Sequence, residues 1–168
     1  MVRSRRALSS GSILGTIINP RGTSGSGKTE LARRILAEYG WNSTGHAEPL
    51  RRRGRDRPIG YRLQHPFGGA PVVVLGDYER TSGGCDTIRA IDGGLDEIYR
   101  LADDWASAGH DVVLEGSAWS AEHIRSAALA ARHKLYLLLL TTTLEQSAGN
   151  PTGPGAAQRM GTVLIGSS

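Results

Sequence analysis

The stretch ILGTII, Ile13 to Ile18, leads into GTSGSGKT, Gly22 to Thr29, and then into ELARRILAEY, Glu30 to Tyr39. The first run is short, apolar and β-branched, which predicts a buried strand. The third places Leu31, Ala32, Ile35, Leu36 and Tyr39 at helical spacing, with Gly40 as a stop. Between them Gly22, Gly27, Lys28 and Thr29 complete the pattern Gly-x-x-x-x-Gly-Lys-Thr. Strand, glycine-rich loop and helix in that order are the context in which this pattern binds phosphate. Glycines let backbone N–H groups close around a β-phosphate with no Cβ in the way. The helix that follows turns its positive end toward the anion. Lys28 reaches the β- and γ-phosphates, and the Thr29 hydroxyl is the expected Mg²⁺ ligand. The expected ligand is ATP or GTP, held by Gly22, Thr23, Ser24, Gly25, Ser26, Gly27, Lys28 and Thr29. A chance Ser/Gly-rich turn would carry the letters but not the flanking elements.

Further apolar runs continue the alternation. Pro71 to Leu75, Asp111 to Glu115 and Leu135 to Leu140 predict three more strands. Leu95, Ile98, Tyr99, Ala102, Trp105 and Ala106 mark an amphipathic helix closed by Gly109. Another helix is expected from a cap at Ser120 to about His133. Alternating strands and helices imply an α/β fold with a mostly parallel sheet covered on both faces, the three-layer arrangement of P-loop NTPases. Ile13 to Ile18 should be central, between the strands ending at Glu115 and Leu140, with Pro71 to Leu75 beyond the Glu115 strand. Trp41 to Gly69 is irregular, with a candidate hairpin strand at Ile59 to Leu63. Gly76 to Gly94 reads as loop, and Thr162 to Ile165 as a last short strand.

The 168 residues fit one domain with one core, 1–168. No apolar run nears the ~20 residues that span a bilayer, and the apolar stretch behind the basic start, Ile13 to Ile18, is too short for a targeting segment and runs straight into the phosphate loop. A single cysteine, Cys85, excludes an internal disulfide or a thiolate metal cluster. These features set a cytoplasmic expectation, with no membrane partner. The formal charge is +4, with 18 Arg against 2 Lys. Arg51, Arg52, Arg53, Arg55, Arg57 and Arg62 crowd one stretch opposed by Asp56 alone. That cluster is either a solvated flap or a phosphate-contacting surface.

Glu115 ends an apolar run beside the phosphate-loop strand. There it can hold Mg²⁺ through water or act as a base, and Gly116 leaves room for substrate; an ordinary strand-end acid is the plainer reading. The loop Gly76 to Asp86 leaves the carboxyl end of a strand, where open α/β sheets bind substrate. Asp77 or Asp86 could accept the proton of an attacking hydroxyl, and Tyr78 could stack on a ring. A surface loop with Asx turns would have the same composition. Cys85 reads as structural. His46, His65, His110, His123 and His133 lack metal-ligand spacing.

Ile18-Asn19-Pro20-Arg21-Gly22-Thr23, Gly60-Tyr61-Arg62, Leu75-Gly76-Asp77-Tyr78-Glu79, Gly83-Gly84-Cys85-Asp86-Thr87-Ile88 and Leu114-Glu115-Gly116 together resemble the phage-encoded P-loop kinases that phosphorylate 5-hydroxymethyluracil within DNA. The likeness spans about residues 13 to 145. It implies transfer of the γ-phosphoryl of ATP, with Mg²⁺, to a hydroxyl, the acceptor being a modified pyrimidine in DNA and the setting the host cytoplasm. It implies Lys28, Asp86 and Glu115 as catalytic residues, with Thr29 and Glu115 serving the metal, and it selects Asp86 over Asp77. The departure is C-terminal. Such kinases continue into an arginine-bearing lid, whereas Thr141 to Ser168 is Gly/Pro/Ser-rich with only Arg159, so a short or truncated lid is expected. Two rival functions share these residues: a kinase of a small nucleoside, nucleotide or antibiotic, and a non-catalytic ATP-binding protein.

Overall fold

A computed structural model describes residues 14–41, 47–79, 83–115, 122–141 and 160–163. Seven strands form one sheet: β1 Thr16–Arg21, β2 Ala47–Leu50, β3 Gly60–Leu63, β4 Val72–Leu75, β5 Asp111–Val113, β6 Lys134–Leu140 and β7 Met160–Val163. Three helices join them: α1 Lys28–Glu38, α2 Gly94–Ser107 and α3 Glu122–Ala130. The strand order is β2-β3-β4-β5-β1-β6-β7. β4, β5, β1 and β6 are parallel, and β2, β3 and β7 are antiparallel additions at the two edges. The expected order of the four buried runs is the order found.

Period-two alternation assigns the two faces. Ile17, Val73, Leu75, Val112 and Leu114 pack with Ile98, Ala102 and Ala106 of α2 and Leu129 of α3. Ile18, Val72, Val74 and Val113 face the other way, with Ala32 and Leu36 of α1 and with Tyr61 and Leu63. Each face is therefore dry, and the strands between are apolar without interruption.

Several boundaries differ from the sequence expectation. β1 begins later and runs on through Asn19, Pro20 and Arg21, pairing with β6 along its whole length. Proline is tolerated there because Ile18 directs its carbonyl to the Leu114 amide of the β5 side at 3.0 Å. Pro20 points the same way, past the last β5 pair at Ile18 and Val113. The irregular stretch after Trp41 contains β2, an Ala-Glu-Pro-Leu strand with no apolar alternation to announce it. Pro49 sits on the sheet edge, where a missing donor does least harm. Gly76 to Gly94 holds two 3-10 turns, Cys85–Thr87 and Ala90–Asp92, and an Asp77–Gly84 bridge folds the segment back on itself. The last helix stops at Ala130 rather than His133. β7 starts earlier than Thr162. Ser120, Gly116, His46 and Arg159 lie outside the described residues.

Candidate active site

The carboxyl ends of β1, β4 and β5 lie at one end of the sheet, and Gly22 to Thr29, Asp77, Asp86 and Glu115 gather there. β1 ends at Arg21 and α1 begins at Lys28, so Gly22 to Gly27 must reverse the chain between a strand and a helix. Gly25 and Gly27 take positive φ angles of 78° and 90°. A Cβ on Gly22 would fall 2.4 Å from the Ser26 hydroxyl and 2.7 Å from the Leu140 carbonyl. The helix has no side-chain cap at Gly27, so the amides of its first turn lack intrahelical acceptors and open onto the loop. Lys28 folds back, donating to the carbonyls of Gly22 at 3.0 Å and Thr23 at 2.9 Å. An anion held by these amides would meet the ammonium as well.

Thr29 donates to Glu115 across a long 3.4 Å. Glu115 is buried, and its second carboxyl oxygen has no partner among the described residues. Burial pushes its pKa up to about 7, and Asp86 adds to the rise while Lys28 opposes it. Gly84 shows how tightly the carboxyl is enclosed: a Cβ there would lie 1.4 Å from Glu115 Oε1. Gly84 therefore leaves room for this carboxyl. Thr29 and Glu115 supply two converging oxygens, and the described residues contain no group of three His, Cys, Asp or Glu able to hold a metal alone. That donor set fits Mg²⁺, which keeps waters and takes phosphate oxygens beside one or two protein ligands.

The two candidate bases part company. Asp77 is 1 % exposed. It accepts from the Glu79 amide at 3.0 Å and the Tyr61 hydroxyl at 3.3 Å, and lies 3.8 Å from Arg57. It is a satisfied part of the scaffold. Asp86, on the first 3-10 turn, is exposed and lines a cleft of about 520 Å³ with Arg55, Arg57, Gly83, Thr87 and Arg89. Tyr78 is core, 1 % exposed, with its hydroxyl on the Leu75 carbonyl at 3.2 Å; the expectation that it could stack on a ligand fails because no ring face is open. Cys85 is buried and its thiol is pushed well up by burial, which removes nucleophilic character.

The arginine cluster also divides. Residues 51–59 form the turn joining β2 to β3, at the same end of the sheet as the phosphate loop, because Gly60 pairs with Leu75. Arg55 is spent inside the fold, donating to the carbonyls of Arg57 at 2.9 Å and Thr87 at 2.8 Å and pairing with Asp92. Arg52 reaches the Asp92 carbonyl at 2.7 Å and Glu97. Arg51 and Arg53 are exposed. Arg62 leaves the cluster: it donates to His110 at 3.0 Å, at the far end of the sheet just before β5.

One feature escaped the sequence reading. Arg21, immediately before the loop, donates to Ser126 at 2.7 Å and Tyr99 at 3.3 Å and pairs with Glu122 at 3.2 Å. Tyr99 donates to Glu122 in turn, at 3.3 Å. This buried network ties the end of β1 to α2 and α3. An arginine closing an apolar strand was the available signal.

A curated protein, the 5-hmdU DNA kinase of Pseudomonas phage PaMx11, is 38% identical over 149 residues, covering 83% of this chain and 74% of that protein. No family model and no solved structure matches the chain.

Proposed function

The chain belongs to the family of the phage 5-hmdU DNA kinases, and from that premise we propose that it transfers the γ-phosphoryl group of ATP to the hydroxymethyl oxygen of 5-hydroxymethyluracil in DNA. Membership makes it a kinase and sets aside the non-catalytic reading. The observation that carries the proposal is the meeting, at one end of the sheet, of the Lys28–Thr29 cradle, buried Glu115 and exposed Asp86.

In-line phosphoryl transfer asks a protein for position, charge neutralisation and one base. Lys28 exchanges its two carbonyl contacts for phosphate oxygens. The first-turn amides of α1 hold the β-phosphate. Thr29 and ionised Glu115 would hold Mg²⁺, which would supply charge neutralisation for the phosphates. Asp86 takes the proton from the acceptor hydroxyl as its oxygen bonds to phosphorus and ADP leaves. Asp77 is not offered as the base, since its oxygens are already engaged. Among the described residues no helix is long and apolar enough to cross a membrane, and host cytoplasm, where phage DNA is made, is the setting that suits this reaction.

Incubation with γ-labelled ATP tests the reading, using hydroxymethyluracil DNA, thymine DNA and free hydroxymethyldeoxyuridine in parallel. Label is expected on the first alone. Label on the free nucleoside and not on DNA would replace the acceptor by a small molecule.

A further inference from the structure

The cleft beside Asp86 has two walls from distant parts of the chain: the β2–β3 turn supplies Arg55 and Arg57, and the segment after β4 supplies Gly83, Asp86, Thr87 and Arg89. Arg55 rivets the walls together through the Thr87 carbonyl and Asp92. Its cationic N–H groups are consumed in doing so. Arg57 and Arg89 are different. Arg57 is 43 % exposed with its closest carboxylate, Asp77, 3.8 Å away, and Arg89 is 72 % exposed with Asp92 at 3.6 Å. Both ion pairs are long, and each guanidinium keeps a solvent-facing side although its carboxylate is largely buried. Two guanidinium forks thus flank an exposed carboxylate. A fork of this kind matches a phosphate diester.

Volume decides what enters. About 520 Å³ is within the range of small-molecule sites. It accommodates one nucleotide and excludes a stacked duplex. We infer that this cleft receives a single extrahelical nucleotide of the acceptor strand, with Arg57 and Arg89 on the phosphates that flank it and Asp86 at its hydroxyl. The inference rests on the DNA reading above and adds where the strand is held and in what state. Arg51 and Arg53, exposed on the same turn, extend the basic rim along the strand.

The test uses a fluorescently labelled single-stranded oligonucleotide carrying one hydroxymethyluracil, with binding read by anisotropy over a series of salt concentrations. The double variant R57A/R89A should bind at least about tenfold more weakly, as expected for two lost charge-assisted contacts. Its slope of log affinity against log salt should be shallower by about 0.7 for each contact removed. Asp56→Trp, which fills the cleft from its rim, should abolish oligonucleotide binding. ATP affinity should match wild type in both variants; the thermal melt should match in Asp56→Trp and stay a single cooperative transition at a somewhat lower temperature in R57A/R89A, where buried Asp77 loses Arg57. Wild-type affinity and salt slope in R57A/R89A would overturn the assignment, as would normal oligonucleotide binding by Asp56→Trp. Equal affinity of wild type for the free nucleoside monophosphate and the oligonucleotide would overturn the strand. A wild type that binds the oligonucleotide as described but transfers no phosphoryl would leave the cleft standing and remove the proposed acceptor instead.

Discussion

The phosphate loop and the β2–β3 turn stand at the same end of the sheet, and they are built by opposite means. The loop works with backbone: glycines at positive φ, first-turn amides of α1, and a lysine held by two carbonyls. The turn works with side chains: Arg52 and Arg55 are tied to Asp92 and Glu97, while Arg51 and Arg53 are open to water. A backbone site needs a fixed spacing, and every residue in it has one task. A side-chain site tolerates drift, and neighbouring arginines of one cluster divide between scaffold and surface.

The contrast sharpens most at Lys28. Lys28→Ala leaves phosphate charge uncompensated, and turnover of labelled ATP should fall by at least about 10³-fold, with an unchanged circular-dichroism melt. Asp86→Asn should lower transfer by about 10²-fold or more while nucleotide affinity by calorimetry stays at the wild-type value. Asp77→Asn should instead lower the melting temperature, because its partners Tyr61, Glu79 and Arg57 lose a carboxylate. Full activity in Asp86→Asn with loss in an equally folded Asp77→Asn would reverse the two roles.

Glu115 connects the loop to pH. Its folded pKa, about 7, lies above the ordinary 4.5, so the folded state binds this proton more tightly than the unfolded one. Its contribution to stability therefore falls as pH rises from about 4.5 to about 7, and is level outside that window. Metal binding needs the carboxylate and runs the other way. Affinity for Mg²⁺–ATP should climb by up to about tenfold per pH unit below the pKa and flatten above it. Glu115→Gln should bind weakly at every pH. A wild-type affinity that is flat from pH 5 to 8 would remove Glu115 from the metal site.

Arg52 should give the smallest effect. Its pair with Glu97 is half open to water, and Arg52→Ala should cost less than about 1 kcal/mol in a urea melt. A larger loss would show that the turn is held as rigidly as the phosphate loop, and the contrast between the two would disappear.

By itself the sequence determined the glycine-rich loop between a strand and a helix, the order of the four central strands and the position of Glu115 just beyond one of them. Each depends on local facts: a fixed spacing of Gly, Lys and Thr, and apolar periods that only a two-sided sheet can bury. Edge strand β2 was not legible, because Ala-Glu-Pro-Leu becomes a strand only when β3 is beside it. The residues alone left Asp77 and Asp86 open and the family resemblance favoured Asp86, but the physical difference between them is a product of the tertiary structure. The two differ in burial and in partners as far away as Tyr61 and Arg57, and nothing in their local sequence encodes that. The same holds for the division of the arginines and for the joining of Arg21 to Glu122. The charge state of Glu115 belongs with these, since it follows from the low-dielectric enclosure made by Gly84 across the chain. Ionisation and ion pairing depend on which groups the fold brings within a few ångströms, and chain position does not fix that distance.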